Sequence, residues 1–98
     1  MPEFNKFIHE RSRLLILTHL ISNRDKEVSF NDLRDKLKLT SGNLSIQLKK
    51  LNEMDFIKIR KSFKDNKPHT AVIITPKGIK ALDSYLEEIE ELIKTLRD

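Results

Sequence analysis

The chain has no cysteine, and among its 98 residues glycine occurs only at Gly42 and Gly78. The first absence excludes disulfides and thiolate metal sites and is compatible with a reducing cytoplasm. The second leaves no glycine-rich loop to cradle a phosphate, and both glycines fall inside stretches of helical periodicity. A nucleophile elbow and a His-Glu metal helix are missing as well, so the sequence points away from an enzyme. Its imidazoles, His9, His19 and His69, have no i,i+4 spacing, and no metal or other cofactor is expected. The longest aliphatic run is Leu14-Leu15-Ile16-Leu17, far short of the roughly 20 residues that span a bilayer. The opening Met-Pro-Glu-Phe-Asn-Lys carries no signal-peptide pattern. The expectation is a cytoplasmic protein with no membrane contact, forming a single domain over residues 1–98 around one small core.

Charge is present but unevenly placed. Through Lys77 there are 16 Lys or Arg against 9 Asp or Glu; from Gly78 onward there are 3 against 6. The basic part suits a polyanion, because neutralised phosphates release condensed counterions. A solvated lysine-rich surface with no partner is the plainer alternative.

Within that basic part, Thr40 to Leu51 reads as a short helix with an apolar back and a small, basic front. Leu44, Leu48 and Leu51 share one side of a wheel of about 100° per residue, with Gly42, Asn43, Ile46, Lys49 and Lys50 opposite. Upstream, Ser29-Phe30-Asn31-Asp32 opens another helix with a capping pattern, and Leu33 and Leu37 are its apolar positions. Two short helices joined across Lys38-Leu39-Thr40 have the layout of a helix-turn-helix, whose second helix enters a major groove.

A first helix is expected from about Ile8 to Ser22, with Phe4 and Phe7 as extensions, and Val28 with Phe30 as anchors of a very short strand. After the third helix the period changes. Ile57 and Ile59 alternate with Lys58 and Arg60, and the β-branched Thr70 to Thr75 supplies a partner strand. Between them Ser62 to His69 is read as a loop, with turn chemistry at Asp65-Asn66 and Pro68. Five basic residues and one acid between Lys58 and Lys67 make a tip suited to a minor groove or phosphate backbone, or simply to a soluble edge. Thr75-Pro76 opens the last helix, in which Ile79, Leu82, Leu86, Ile89, Ile93 and Leu96 recur as an a/d seam. That seam packs either against a second copy, the favoured reading, or within the domain.

The order of elements is that of a winged helix with a long C-terminal helix. The segments Arg13-Leu-Leu-Ile-Leu17, Val28-Ser-Phe-Asn-Asp-Leu33, Leu39-Thr-Ser-Gly-Asn-Leu-Ser45, Leu48-Lys-Lys-Leu51, Ile57-Lys-Ile-Arg-Lys61 and Ile74-Thr-Pro-Lys-Gly78 resemble the small winged-helix transcriptional regulators of archaea and bacteria related to the MarR and ArsR groups. The resemblance covers almost the whole chain. It implies an α+β, mostly α fold: a helix-turn-helix over about 30–53, a wing over about 56–75 and a dimerisation helix over about 76–97. It also implies a homodimer that binds double-stranded DNA through its third helix and touches flanking DNA with the wing. Asp55 stands where such proteins usually place glycine, and it would have to adopt the left-handed conformation itself. The Cys thiolates of ArsR-type metal sensors are absent, and nothing marks a pocket for a small-molecule effector.

On this reading Ser41 and Ser45 bond phosphate or a base edge, Asn43 reads an adenine, and Gly42 belongs to the same front. Ile46 either meets a thymine methyl or packs against the preceding helix. Lys49, Lys50, Arg60, Lys61, Lys64 and Lys67 are the phosphate contacts, with Arg60 or Lys64 approaching the minor groove. Ile79, Leu82, Leu86, Ile89, Ile93 and Leu96 form the dimer interface. The alternative is a winged helix used only for protein contacts, docking through the C-terminal coiled-coil helix.

Overall fold

The computed structural model describes residues 5–98. In chain order it contains α1 (Arg11–Ser22), β1 (Val28–Ser29), α2 (Phe30–Leu37), α3 (Ser41–Glu53), β2 (Ile57–Lys64), β3 (Lys67–Ile74) and α4 (Pro76–Arg97). The strands form an antiparallel sheet in the order β1-β3-β2, with Val28 opposite Val72 and Ile59 opposite the same residue from the other side. This is the expected winged helix, mostly helical, with a long last helix.

Side-chain oxygens set the helix starts by accepting otherwise unpaired backbone N–H groups. Ser29 caps α2 through the N–H of Asp32, Thr40 caps α3 through that of Asn43, and Thr75 caps α4 through that of Gly78 ahead of Pro76. The first helix begins later than Ile8, because Glu10 caps it by accepting from Ser12 and Arg13 at 3.1 and 2.9 Å. Phe7 and Ile8 belong to the preceding turn, where Asn5 Oδ1 accepts both their N–H groups, yet Ile8 is fully buried. Phe4 lies outside the described residues.

Two helices end in left-handed residues that are not glycine. Lys38 has φ 55° after α2, and Asp55 has φ 61° after α3. At Asp55 the ending is a Schellman motif: its N–H reaches Asn52 O at 3.0 Å, and Phe56 N–H reaches Leu51 O at 3.1 Å. Leu51 and Phe56 both enter the core. Asp55 therefore adopts the left-handed conformation expected at this position.

The hairpin differs from expectation in length. Its strands run to Lys64 and resume at Lys67, so the loop shrinks to Asp65-Asn66, both with positive φ (54° and 63°) as a two-residue type I′ connection needs. Pro68 is accommodated inside β3 because β1 reaches only to Ala71, which leaves this part of β3 an edge. Proline lacks only the N–H that such an edge does not need.

The core joins α1 (Ile16, Leu17, Leu20), Leu33, α3 (Leu44, Leu48, Leu51), the sheet (Ile57, Val72, Ile74) and α4 (Leu82, Tyr85). Gly78 is required by that packing, since a Cβ there would collide with the backbone carbonyl of Phe56.

Candidate nucleic-acid interface

The helix α3 lies with Leu44, Gln47, Leu48 and Leu51 inward. On the opposite side Ser41, Gly42, Ser45, Ile46, Lys49 and Lys50 are all exposed. Ile46 is 55% exposed, so it stands on the outer face and is not packed against α2. A Cβ on Gly42 would meet nothing within 4 Å, which leaves backbone at the start of the helix open to close approach. Arg34 of α2, absent from the sequence-based set, donates from Nη1 to Ser41 Oγ at 3.3 Å. The neighbouring Asp35 carboxylate lies 2.9 Å from its Nε and raises the Arg34 pKa further above a range in which a guanidinium is already charged. Only the fold brings that cation beside Ser41.

Asn43 corrects the sequence-based picture. Its Nδ2 donates to Ser12 Oγ at 3.2 Å, and its Oδ1 accepts from Gln47 Nε2 at 3.1 Å, so each end of the amide holds one bond on the inner side. Gln47 in turn accepts from Arg13 Nη1 at 2.7 Å, and Arg13 Nε donates to Phe7 O at 2.6 Å. The Arg13 guanidinium also lies 4.4 Å from the Phe7 ring centroid. Ser12 and Gln47 are buried polar residues, and this chain of bonds satisfies them while fixing α3 against α1. Asn43 thus helps fasten α3 to α1, a holding role that its expected place on an adenine did not include.

The wing presents two faces, because side chains alternate along a strand. Ile57, Ile59, Lys61 and Phe63 share one face with their partners Ile74, Val72, Thr70 and Pro68. A cleft of about 360 Å³ opens on this face towards α3, lined by Ser45, Leu48, Lys49 and Asn52 on one wall and Ile59, Lys61 and Thr70 on the other. Lys49 and Lys61 therefore flank one concavity. Lys64 and Lys67 are directly opposite each other at the tip. Arg60 is on the other face, bonded to Glu27 through Nε at 3.1 Å and Nη2 at 3.2 Å, so it does not join the cations facing α3.

A larger recess of about 560 Å³ follows α4, lined by Ser84, Glu87, Glu88, Glu90, Glu91 and Lys94. Its carboxylates repel phosphate, so size is a poor guide here and the smaller basic cleft is the better candidate. Among the described residues no group of three or more His, Asp or Glu converges as metal ligands, and no helix is long and apolar enough to cross a membrane. On the seam of α4 the six expected contact residues divide. Leu82 is fully buried in its own chain, and Ile79 and Ile89 pack partly on the same core, whereas Leu86, Ile93 and Leu96 remain exposed. Leu82 consequently has no surface left for a second copy.

A family model described as a winged helix DNA-binding domain matches residues 12–93. The chain belongs to this family. An uncharacterized protein of Methanocaldococcus jannaschii is 43% identical to this winged helix over 67 residues, 68% of this chain and 73% of that one. Among solved structures, a transcriptional regulator homologue from Pyrococcus horikoshii OT3 superposes with a TM-score of 0.86 at 27% identity, covering 94% of this chain and 89% of the other. MepR of Staphylococcus aureus in complex with DNA gives 0.76 at 20% identity over 94% and 73%. The haem sensor PefR of Streptococcus agalactiae gives 0.77 at 22% identity, and the winged helix spans 62% of its length. The last two show a shared fold and nothing finer.

Proposed function

We propose that this protein is a homodimeric transcriptional regulator that binds a pseudo-palindromic site in double-stranded DNA. In this reading two copies of α3 enter successive major grooves about 10 to 11 base pairs apart. The observation that carries it is the two-sidedness of α3: its inner side is tied down by Ser12, Arg13, Asn43 and Gln47, while Ser45, Ile46, Lys49 and Lys50 stand clear. A rigid helix with a bare, small and basic front suits base readout over a charged backbone. Base contact is assigned to Ser45 and to Ile46, the latter against a thymine methyl. Phosphate contact is assigned to Ser41, Arg34, Lys49, Lys50, Lys61, Lys64 and Lys67, and Gly42 allows the groove edge to approach the backbone. Dimerisation is assigned to Leu86, Ile93 and Leu96, with Ile89 at its margin. Support from relatives is of the same kind, since MepR has been captured with DNA.

Mobility shifts on duplexes selected from a random pool test the reading. Lys50→Ala should weaken binding to selected and random duplexes alike and flatten the logarithmic salt dependence by about one unit. Ile46→Ala should weaken selected duplexes several-fold more than random ones. Equal losses for Ile46→Ala on both would remove its base-reading role.

A further inference from the structure

We propose that Phe63 is an apolar wedge, which the wing inserts into the minor groove beside the α3 site to open a base step there. The inference rests on the DNA-binding reading and adds a contact that reads the deformability of the flanking sequence.

Phe63 is 78% exposed at the distal end of β2. It is opposite Pro68, one pair inside the closing pair Lys64 and Lys67. In a hairpin with a two-residue turn that closing pair is hydrogen-bonded, so the next is a non-bonded pair, where facing side chains come closest. Ring and pyrrolidine thus form one small apolar tip, beside an open recess of about 290 Å³ that Lys61, His69 and Thr70 also line.

Direction and reach both suit a groove next to the one α3 would occupy. Phe63 shares the face of Ile59 and Lys61, the face that closes the cleft against α3. Four residues beyond Ile59 carry it about 14 Å further along the strand. Half a turn of DNA is about 17 Å, the step from a major groove to the adjoining minor groove. The two strands stay paired out to Lys64 and Lys67, closed by a turn with Asp65 and Asn66 in its two positive-φ positions.

Charge identifies the occupant. Lys61 shares the face of the ring, while Lys64 and Lys67 stand at the tip on the opposite face, one pair beyond it; directly opposed, they repel each other unless an anion lies between or beside them. A groove walled by two phosphate strands supplies anions on both sides and an apolar base stack in the middle. Phenylalanine and leucine are among the side chains that unstack base steps from the minor groove, most readily at flexible pyrimidine–purine steps.

The test uses the full chain and duplexes recovered from a random pool by the wild-type protein, with 2-aminopurine placed at each flanking step in turn. Wild type should raise the fluorescence several-fold at one flanking position per half-site. Phe63→Leu should keep most of that rise. Phe63→Ala should abolish it and weaken binding by about tenfold, with an unchanged salt slope because no phosphate contact is lost. Lys64→Ala should do the reverse, lowering the salt slope and sparing the fluorescence. Circular dichroism checks the fold of each variant, and Phe63→Leu keeps the test open should Phe63→Ala lose structure. A Phe63→Ala protein that binds and brightens the probe like wild type, or that binds less well yet still brightens it, overturns the wedge and leaves the DNA-binding reading standing. A wild-type protein that binds duplexes without brightening any flanking probe likewise overturns the wedge alone. A wild-type protein that retards no duplex overturns both.

Discussion

Helices α3 and α4 carry similar stripes of leucine and isoleucine, and the fold treats them differently. In α3, Leu44, Leu48 and Leu51 all disappear into the core, because this helix lies between α1 and the sheet. In α4, Leu82 is fully buried and Tyr85 nearly so, but Leu86 is 43%, Ile93 42% and Leu96 76% exposed. Face and length together explain the contrast: Leu86 lies off the face on which Leu82, Tyr85 and Ile89 pack, and Ile93 and Leu96 lie beyond it. The 22 residues of α4 extend about 33 Å, whereas the 12 residues of α1, its main helical support, extend about 18 Å. The final turns of α4 have no surface of their own domain to lie on, and the molecule is accordingly 57 Å long and only 25 by 21 Å across. A seam that continues past its own core leaves apolar side chains exposed, which the proposed dimer would cover, and the same pattern confined to the core is only packing.

The largest effect expected from this contrast is in the buried part of each stripe. Leu44→Ala and Leu82→Ala should each destabilise the fold by about 2–5 kcal/mol at any protein concentration, measured by denaturant midpoints. A Leu82→Ala penalty that appears only at high concentration would move Leu82 into an interface and break the comparison. Beyond the core, Leu86→Lys should leave the monomer folded while weakening self-association on the order of a hundredfold, since a charge would enter a desolvated contact. DNA affinity should fall with it, because two half-sites are then no longer held by one linked molecule. Equilibrium sedimentation decides, and a wild-type protein that stays monomeric at tens of micromolar, about where ordinary weak dimers form, would show that the exposed turns serve another partner.

The two glycines sharpen the comparison at a smaller scale. Gly78→Ala, which drives a methyl into the Phe56 carbonyl where α4 is anchored, should cost about 1–3 kcal/mol in thermal or chemical unfolding. Gly42→Ala, on the open face of α3, should instead stabilise the helix by up to about 1 kcal/mol and weaken DNA binding. A stabilised Gly42→Ala protein with undiminished DNA affinity would show that no groove edge approaches there. The smallest effect concerns α1, which supports both helices. Burial opposes the Glu10 charge, but hydrogen bonds from the Arg13 and Ser12 backbone N–H groups and the nearby Arg13 guanidinium outweigh it and hold the carboxyl below the usual glutamate range. A lowered folded pKa means a contribution present above the unfolded pKa and lost as pH falls through the folded one. Glu10→Gln should therefore remove a little stability near neutral pH and make the acid side of the stability profile shallower.

Local features were legible in the sequence wherever the physics is local. Ser29 and Thr75 cap the helices they were expected to cap, and Ile57 and Ile59 turn to one side of a strand as their alternation requires. Asp55 takes the left-handed conformation that the end of α3 demands. The misplacements share a different cause. Pro68 reads as loop until the short reach of β1 leaves its side of β3 unpaired, and Ile8 reads as helix until Glu10 caps α1 after it.

The sequence by itself determined the elements, their order and their polar and apolar faces, because capping, turn dihedrals and periodicity act over a few residues. Only the tertiary structure decided which exposed groups were already engaged. Asn43 lies on the polar side of its helix in any wheel, but Ser12, 31 residues away, claims its amide, and Glu27 claims Arg60 across 33 residues. The same holds for the last seam: periodicity made it continuous from Ile79 to Leu96, and the fold decided which of its residues meet the core, Leu82 and Ile89 but not Leu86 between them. Hydrogen bonds and packing between distant segments depend on where the chain brings them together, and no spacing along one helix encodes that position.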